Sequence, residues 1–281
     1  LYHDQHCLVK YPLALGYLSG SIIKNTNWSV QTYNADFNIN KKRFVPENDY
    51  ISGEGFKRYL SSLKDPSMPI WDEVKKSIEE FNPSVVGISA KTQNFISASI
   101  IAKIAKNLNP DVKVIVGGVH PTMNGSKVLD CKDINYLCMG EGENTIAELL
   151  IALEKNNDES SVKGIIFKKN GKIINTGPRP YVENLDTLDF PLTNAPNILK
   201  DFDKYPKEAF GYIFASRGCP YACTFCESKS MWTRKVRYRS PENVIAELKL
   251  MQQHGIDRVN FDDDTFGISK KNIKALNDLM H

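Results

Sequence analysis

Three short runs of mostly apolar residues, separated by stretches of helical periodicity, constrain this chain most. They are Val85-Val-Gly-Ile-Ser89, Val112-Lys-Val-Ile-Val116 and Tyr136-Leu-Cys138. The spacing of apolar residues predicts helices over Trp71–Phe81, Ser97–Leu108 and Asn144–Glu154. A strand that is apolar on both sides has no face to give to water. Such strands sit in parallel sheets with helices over both faces. Residues 1–155 are therefore expected to form an α/β domain with a doubly wound parallel sheet, whose ligand lies beyond the carboxyl ends of the strands. Upstream, Pro12–Ile23 reads as a helix built of small residues and Trp28–Tyr33 as a strand. Residues 41–70 are polar and broken by Pro46, Gly53, Gly55, Pro66 and Pro69, an excursion from the core.

Beyond residue 155 the pattern changes. Val162–Phe167 and Lys172–Ile174 flank Asn170-Gly171, the pair suited to a type I′ hairpin turn. Gly177-Pro-Arg-Pro180 and Leu185–Pro191 then read as an irregular linker, so 156–208 is assigned to hairpin and linker. A second α/β unit, 209–281, opens with the strand Gly211–Ala215. Ser240 is a suitable N-cap, Pro241 suits the first helical position, and Gly255 suits the helix end. Ile256–Phe261 is the next strand, and Ser269 starts another helix. These are about two βα units of ~30 residues each, where a full barrel takes ~250 residues.

Composition excludes more than it selects. The 281 residues are 41% hydrophobic and 25% charged, ordinary for a globular chain. A net charge of +3 is too small to imply a nucleic-acid or membrane partner. No apolar run approaches the ~20 residues that span a bilayer, and no signal peptide is visible, so a cytoplasmic setting is expected. Leu1 is not an initiator Met, from which we expect a longer protein.

The chemistry concentrates in Ser216-Arg-Gly-Cys-Pro-Tyr-Ala-Cys-Thr-Phe-Cys226. Thiolates so close in sequence suit one soft metal centre. A structural zinc would want a fourth ligand, and no His stands near; His120 and His254 are far off. A disulfide framework suits short, Cys-dense secreted domains, which this is not. Cys7, Cys131 and Cys138 show no ligand spacing and read as small hydrophobes. An iron–sulfur cubane normally takes four Cys, so three leave one iron open.

The C-x3-C-x2-C spacing, with Phe225 before the last ligand, resembles the signature of the radical S-adenosylmethionine (SAM) superfamily. That resemblance implies a [4Fe–4S] cluster on Cys219, Cys223 and Cys226, SAM on the open iron, and reductive cleavage to a 5′-deoxyadenosyl radical. It also implies a partial (βα) barrel, of which this chain holds only the beginning. Several upstream segments resemble the cobalamin-binding domain that precedes many such cores. In Gly87-Ile-Ser-Ala-Lys-Thr92, the resemblance sets Ser89 and Thr92 against the nucleotide tail of the corrin. Val116-Gly-Gly-Val-His-Pro-Thr122 supplies Gly117, Gly118 and His120, and Met139–Thr145 supplies Gly140, Glu141, Gly142 and Glu143. Read alone, the glycines make turns and the acids a solvated cap. The cobalt-ligating motif Asp-x-His-x-x-Gly is met only in part by Asp4-Gln-His6, with Val9 in place of Gly, and a terminal surface His is the competing reading for His6.

Two further groups stand near the cluster motif. The resemblance sets Asp263 and Asp264, at the end of the second strand, near the SAM ammonium; the alternative is a solvated turn. Lys229, Arg234, Lys235, Arg237 and Arg239 form an acid-free segment that could hold a carboxylate or phosphate, or could be solvated. The function implied is a cobalamin-dependent radical SAM enzyme that methylates an unactivated carbon of a small molecule, with flavodoxin or ferredoxin as electron donor. Two alternatives remain: cyclisation or rearrangement without methyl transfer, and a non-catalytic corrin-sensing or metal-binding module.

Overall fold

The structure is a computed structural model that describes residues 10–35, 57, 60–226 and 228–280. Asp4, His6, Cys7 and Val9 fall outside the described residues, as does most of the polar excursion. The chain divides into two compact units. One holds Tyr33–Pro178; the other joins Lys10–Thr32 to Arg179–His281. Helix α1 (Leu13–Asn25) thus belongs with the second unit, although it precedes Tyr33–Pro178 in sequence.

The first unit contains α2 (Pro69–Phe81), β1 (Val85–Ser89), α3 (Phe95–Leu108), β2 (Lys113–Gly117), α4 (Val119–Asn124), β3 (Tyr136–Cys138), α5 (Glu143–Glu154), β4 (Ile165–Lys169) and β5 (Lys172–Asn175). Its sheet runs β1-β2-β3-β4-β5; the first two pairings are parallel and the last two antiparallel. The parallel-rich α/β class is as expected. Among the described strands the spatial order follows the chain, and the hairpin forms the antiparallel end of the sheet. Asn170 and Gly171 both take positive φ, 51° and 76°, as a type I′ turn demands. That turn lays β5 beside β4, and the buried Ile165, Ile166 and Phe167 seat β4 on β3. The hairpin therefore adds two strands to this sheet.

Val114, Val116, Leu137 and Ile166 share a core with Ala98, Ala102 and Ala105 of α3. The three alanines, one turn apart, let the helix axis approach the sheet closely. The opposite side of α3, Ile100, Ile101 and Ile104, packs on Ile70 and Trp71 of α2. The buried Trp71 indole donates to the Ser62 carbonyl at 2.8 Å.

The second unit contains α1, α6 (Pro191–Ile198), β6 (Tyr212–Ile213), β7 (Ser216–Arg217), α7 (Ser228–Trp232), β8 (Arg237–Tyr238), α8 (Pro241–Gln253), β9 (Asn260–Phe261) and α9 (Lys270–Met280). Strands β6 and β9 pair in parallel, while β7 and β8 pair antiparallel. The caps behave as read: Ser240 accepts from the Asn243 amide at 3.1 Å, and Gly255 leaves the helix end at φ 70°. Trp28–Tyr33 makes no strand; only Thr32 bridges, to Leu199. The expected linker carries α6, started by Pro191. Helix α1 packs against it so closely that a Cβ on Gly16 would lie 2.5 Å from the Pro191 side chain.

Candidate functional site

In the first unit the register aligns the predicted ligand residues on one edge. Ser89 pairs with Gly117, and Gly117 with Cys138, so Ser89, Gly117-Gly118 and Gly140 all stand at the carboxyl ends of the three parallel strands. This is the edge where open α/β sheets bind ligands. Ser89 and Thr92 are exposed, and Gly117, Gly118, Gly140 and Gly142 are half-buried. Glu141 and Glu143 are buried, 7% and 5% exposed, rather than forming a solvated cap; both are engaged within the protein.

The loops above this edge are stitched together. The His120 amide donates to the Ala90 carbonyl at 3.0 Å. The Thr122 hydroxyl donates to the Gly118 carbonyl at 2.8 Å and accepts from the Gly140 amide at 2.9 Å. His120 stacks on Phe95 with ring centroids 4.1 Å apart, and its Nδ1 lies 3.2 Å from both Thr92 Oγ1 and Asn124 Nδ2. Burial lowers the His120 pKa, so the neutral imidazole dominates near pH 7. An Asn donor at Nδ1 makes that nitrogen the acceptor and leaves Nε2 as the donor. Phe95, Thr122 and Asn124 were not singled out from sequence; the His-x-x-x-Asn spacing on a short helix was the available signal.

Gly118 is the tightest point. Its φ is +99°, and a Cβ there would lie 2.8 Å from the Ala90 carbonyl oxygen. Gly118→Ala is therefore expected to destabilise the first unit by about 1–3 kcal/mol, read as a lower urea midpoint. Gly140, at φ +67° with open space around its missing Cβ, is expected to tolerate alanine better.

In the second unit the cysteine loop leaves β7 through Gly218. Its φ is +104°, and a Cβ there would meet the Lys235 carbonyl oxygen at 2.4 Å, so only glycine allows this exit. Cys219 is half-buried, while Cys223 and Cys226 are exposed and linked by the Cys226 amide donating to the Cys223 carbonyl at 3.2 Å. Among the described residues the three sulfurs do not converge into a ready metal cage. Three soft thiols on one exposed loop nonetheless match a cubane's donor chemistry, and metal sites commonly close only on binding.

The end of β9 brackets the start of this loop. Asp263 accepts from the Ala215 amide at 3.0 Å and from the Ser216 hydroxyl. Asp264 accepts from the Gly218 amide at 3.3 Å, and Thr265 Oγ1 lies 3.1 Å from Cys219 Sγ. Burial is the largest influence on Asp264 and raises its pKa; the Gly218 amide opposes it and the Asp263 charge adds to it. Asp263 is thus half-buried and engaged at both oxygens, one by the Ala215 amide and one by the Ser216 hydroxyl.

The basic segment is largely consumed by structure. Buried Arg237 donates to the Val182 carbonyl at 2.6 Å and lies over the Tyr181 ring. Buried Arg239 pairs with Glu247, and Lys235 pairs with Glu183 at 2.8 Å. These three side chains are therefore not a free anion site. A cleft alongside is lined by Ser216, Tyr238, Arg239, Asp263, Phe266 and Asn272, among others.

Comparison with known proteins finds a family model, sequence relatives and structures of similar fold. Residues 49–150 match the family model described as B12 binding domain. The chain is 38% identical over 205 residues to the uncharacterized methyltransferase PH0819 of Pyrococcus horikoshii, covering 72% of this chain and 44% of that protein. It is 33% identical over 165 residues to the anaerobic magnesium-protoporphyrin IX monomethyl ester cyclase of Synechocystis, covering 57% and 32%. In fold it is similar to the radical S-adenosylmethionine methyltransferase TsrM of Kitasatospora setae. The TM-score there is 0.70 at 17% identity, over 96% of this chain and 48% of that one. The chain spans less than half the length of these relatives. No helix among the described residues is long and apolar enough to cross a membrane.

Proposed function

We propose that this chain, similar to cobalamin-binding radical SAM proteins in motif, relatives and fold, is part of an enzyme that cleaves SAM reductively and methylates an unactivated carbon. The observation that carries the proposal is the Cys219–Cys226 loop, tied to the end of the parallel strand β9 through Asp264 and Thr265. Cys219, Cys223 and Cys226 would hold a [4Fe–4S] cluster with one iron left for SAM. When bound, the cluster supplies the electron for SAM cleavage and cobalamin supplies a transferable methyl group.

The chain's own residues position and shield these groups. Gly218 lets the loop leave β7 without a clash, and the Asp264 carboxylate is the acid we assign to the SAM ammonium. Asp263 is the weaker candidate, because its oxygens are already engaged. In the first unit, Gly117, Gly118, Gly140 and Gly142 would admit the corrin's close approach, and Ser89 and Thr92 would meet its nucleotide tail. His120, neutral and stacked on Phe95, would present its Nε2 proton as a donor. Glu141 and Glu143 would support this edge from within. A flavodoxin or ferredoxin is the proposed electron donor, a small molecule the proposed substrate, and the cytoplasm the proposed setting.

The test is anaerobic reconstitution with iron, sulfide and hydroxocobalamin, followed by methyl-labelled SAM. Retained corrin absorbance and label in the product are expected. The similarity to a cyclase favours one second reading, a radical step without methyl transfer; product formed without label would select it. Protein that binds corrin but takes up neither iron nor sulfide would instead be a sensing module.

A further inference from the structure

We propose that Thr265 is a positioning residue for the cluster: its hydroxyl donates a hydrogen bond to the Cys219 sulfur and raises the cluster's reduction potential. The inference rests on the assignment of Cys219 as a cluster ligand. It adds a residue that the three-cysteine signature does not contain.

The geometry is a three-step ladder between the end of β9 and the exit of β7. Asp263 holds Ala215 and Ser216, Asp264 holds the Gly218 amide, and Thr265 reaches Cys219. Consecutive residues on one strand end therefore grip consecutive parts of the other. That grip fixes the Thr265 hydroxyl against one sulfur, 3.1 Å away, without help from a ligand. Among the described residues it is the one side-chain hydrogen-bond contact given to any of the three ligand sulfurs. Cys223 and Cys226 stand exposed instead.

The proton count fixes the direction of the bond. Thr265 has one hydroxyl hydrogen and two acceptors in reach, the Asp264 carbonyl at 2.8 Å and Cys219 Sγ. While Cys219 is a thiol, its S–H can donate to Thr265, whose own hydrogen goes to the carbonyl. A metal-bound cysteine is a thiolate with no hydrogen to give. The contact then survives only if the hydroxyl turns from the carbonyl and donates to sulfur. A donor at a ligand sulfur stabilises the more negative, reduced cluster more than the oxidised one, and hydrogen bonds to the sulfurs are among the determinants of cluster potential. The half-buried setting of Cys219 limits competition from water.

The test compares the full-length protein with Thr265→Val, which keeps the shape and loses the donor, and with Thr265→Ser, which keeps the donor. Each is reconstituted anaerobically, analysed for iron and titrated redox-potentiometrically by electron paramagnetic resonance. For Thr265→Val we expect the reduced-to-oxidised ratio at fixed potential to fall about tenfold, equal to 59 mV for one electron. Thr265→Ser should stay with the parent protein. A Val variant with the parent's midpoint, or a Ser variant shifted as far as Val, overturns the inference while leaving the cluster in place. If Thr265→Val takes up no iron and Thr265→Ser takes up the full complement, the hydroxyl's role stands; iron lost from both variants overturns it. A parent protein without iron overturns the cluster assignment itself, and this inference with it.

Discussion

Alanine at any one of Cys219, Cys223 and Cys226 is expected to abolish the iron and sulfide content of the reconstituted protein, and 5′-deoxyadenosine release with it. A cubane anchored at three corners loses a third of its protein ligands with one thiol, and among the described residues of the loop, Cys219–Cys226, there is no fourth cysteine to replace it. Cys131 and Cys138 belong to the first unit, where Cys138 is buried on β3. Both oxygens of Asp263 are committed to Ala215 and Ser216. Affinity should fall by more than the ~10–100-fold that loss of a mere supporting residue costs a metal site. Serine should rescue poorly, because its harder oxygen suits iron–sulfur chemistry less well than thiolate. Cys131→Ala serves as the control and should keep the parent's iron content; iron loss there as great as in Cys223→Ala would show that the site has been misassigned. Colorimetric iron and sulfide assays read the parent and every variant.

The parts of this molecule legible in its sequence are those fixed by local chemistry. Strands β1 and β3 fall where their apolar runs lie, the Asn170-Gly171 turn has the conformation its residues favour, and Ser240 caps the helix that Pro241 begins. What escaped depends on partners far along the chain. Trp28–Tyr33 has strand-forming residues, yet a strand exists only where a neighbouring edge is offered, and here that edge is one residue, Leu199. The same holds for charge. Arg237 and Arg239 look solvated in sequence because arginines usually are, and the acid that lets Arg239 go inside comes from the middle of the next helix. Consecutive Asp263 and Asp264 read as a ligand site or a solvated turn, and Thr265 carried no signal of its own. Their bracing of the β7 exit depends on a contact 46 to 48 residues away, which no local pattern carries.

That hidden pair gives the largest expected stability effect. Arg239 and Glu247 are 6% and 0% exposed, with 2.5 Å between Nη1 and Oε2. Arg239 also donates to Asn243 Oδ1 at 2.6 Å and to the Phe214 carbonyl at 2.8 Å, so it ties the residue after β6 to the first turn of α8. Glu247 has no such reserve, because its buried Oε1 finds no hydrogen-bond partner among the described residues. Burial raises the Glu247 pKa even though Arg239 pulls it down, so the ion pair does not fully repay the carboxylate's desolvation. A group whose folded pKa is raised gives stability at low pH that is lost as pH rises through that pKa. Arg239→Ala removes the opposing pull, raises the Glu247 pKa further and exaggerates that loss. We expect Arg239→Ala to cost about 3–5 kcal/mol near neutral pH, and less under acid conditions where Glu247 is protonated. Arg239→Met combined with Glu247→Leu should recover most of it, since apolar residues of similar size need no counter-charge. Urea unfolding of the second unit at several pH values measures both effects. A penalty for Arg239→Ala that stays constant with pH would mean that Glu247 is not the charge left stranded.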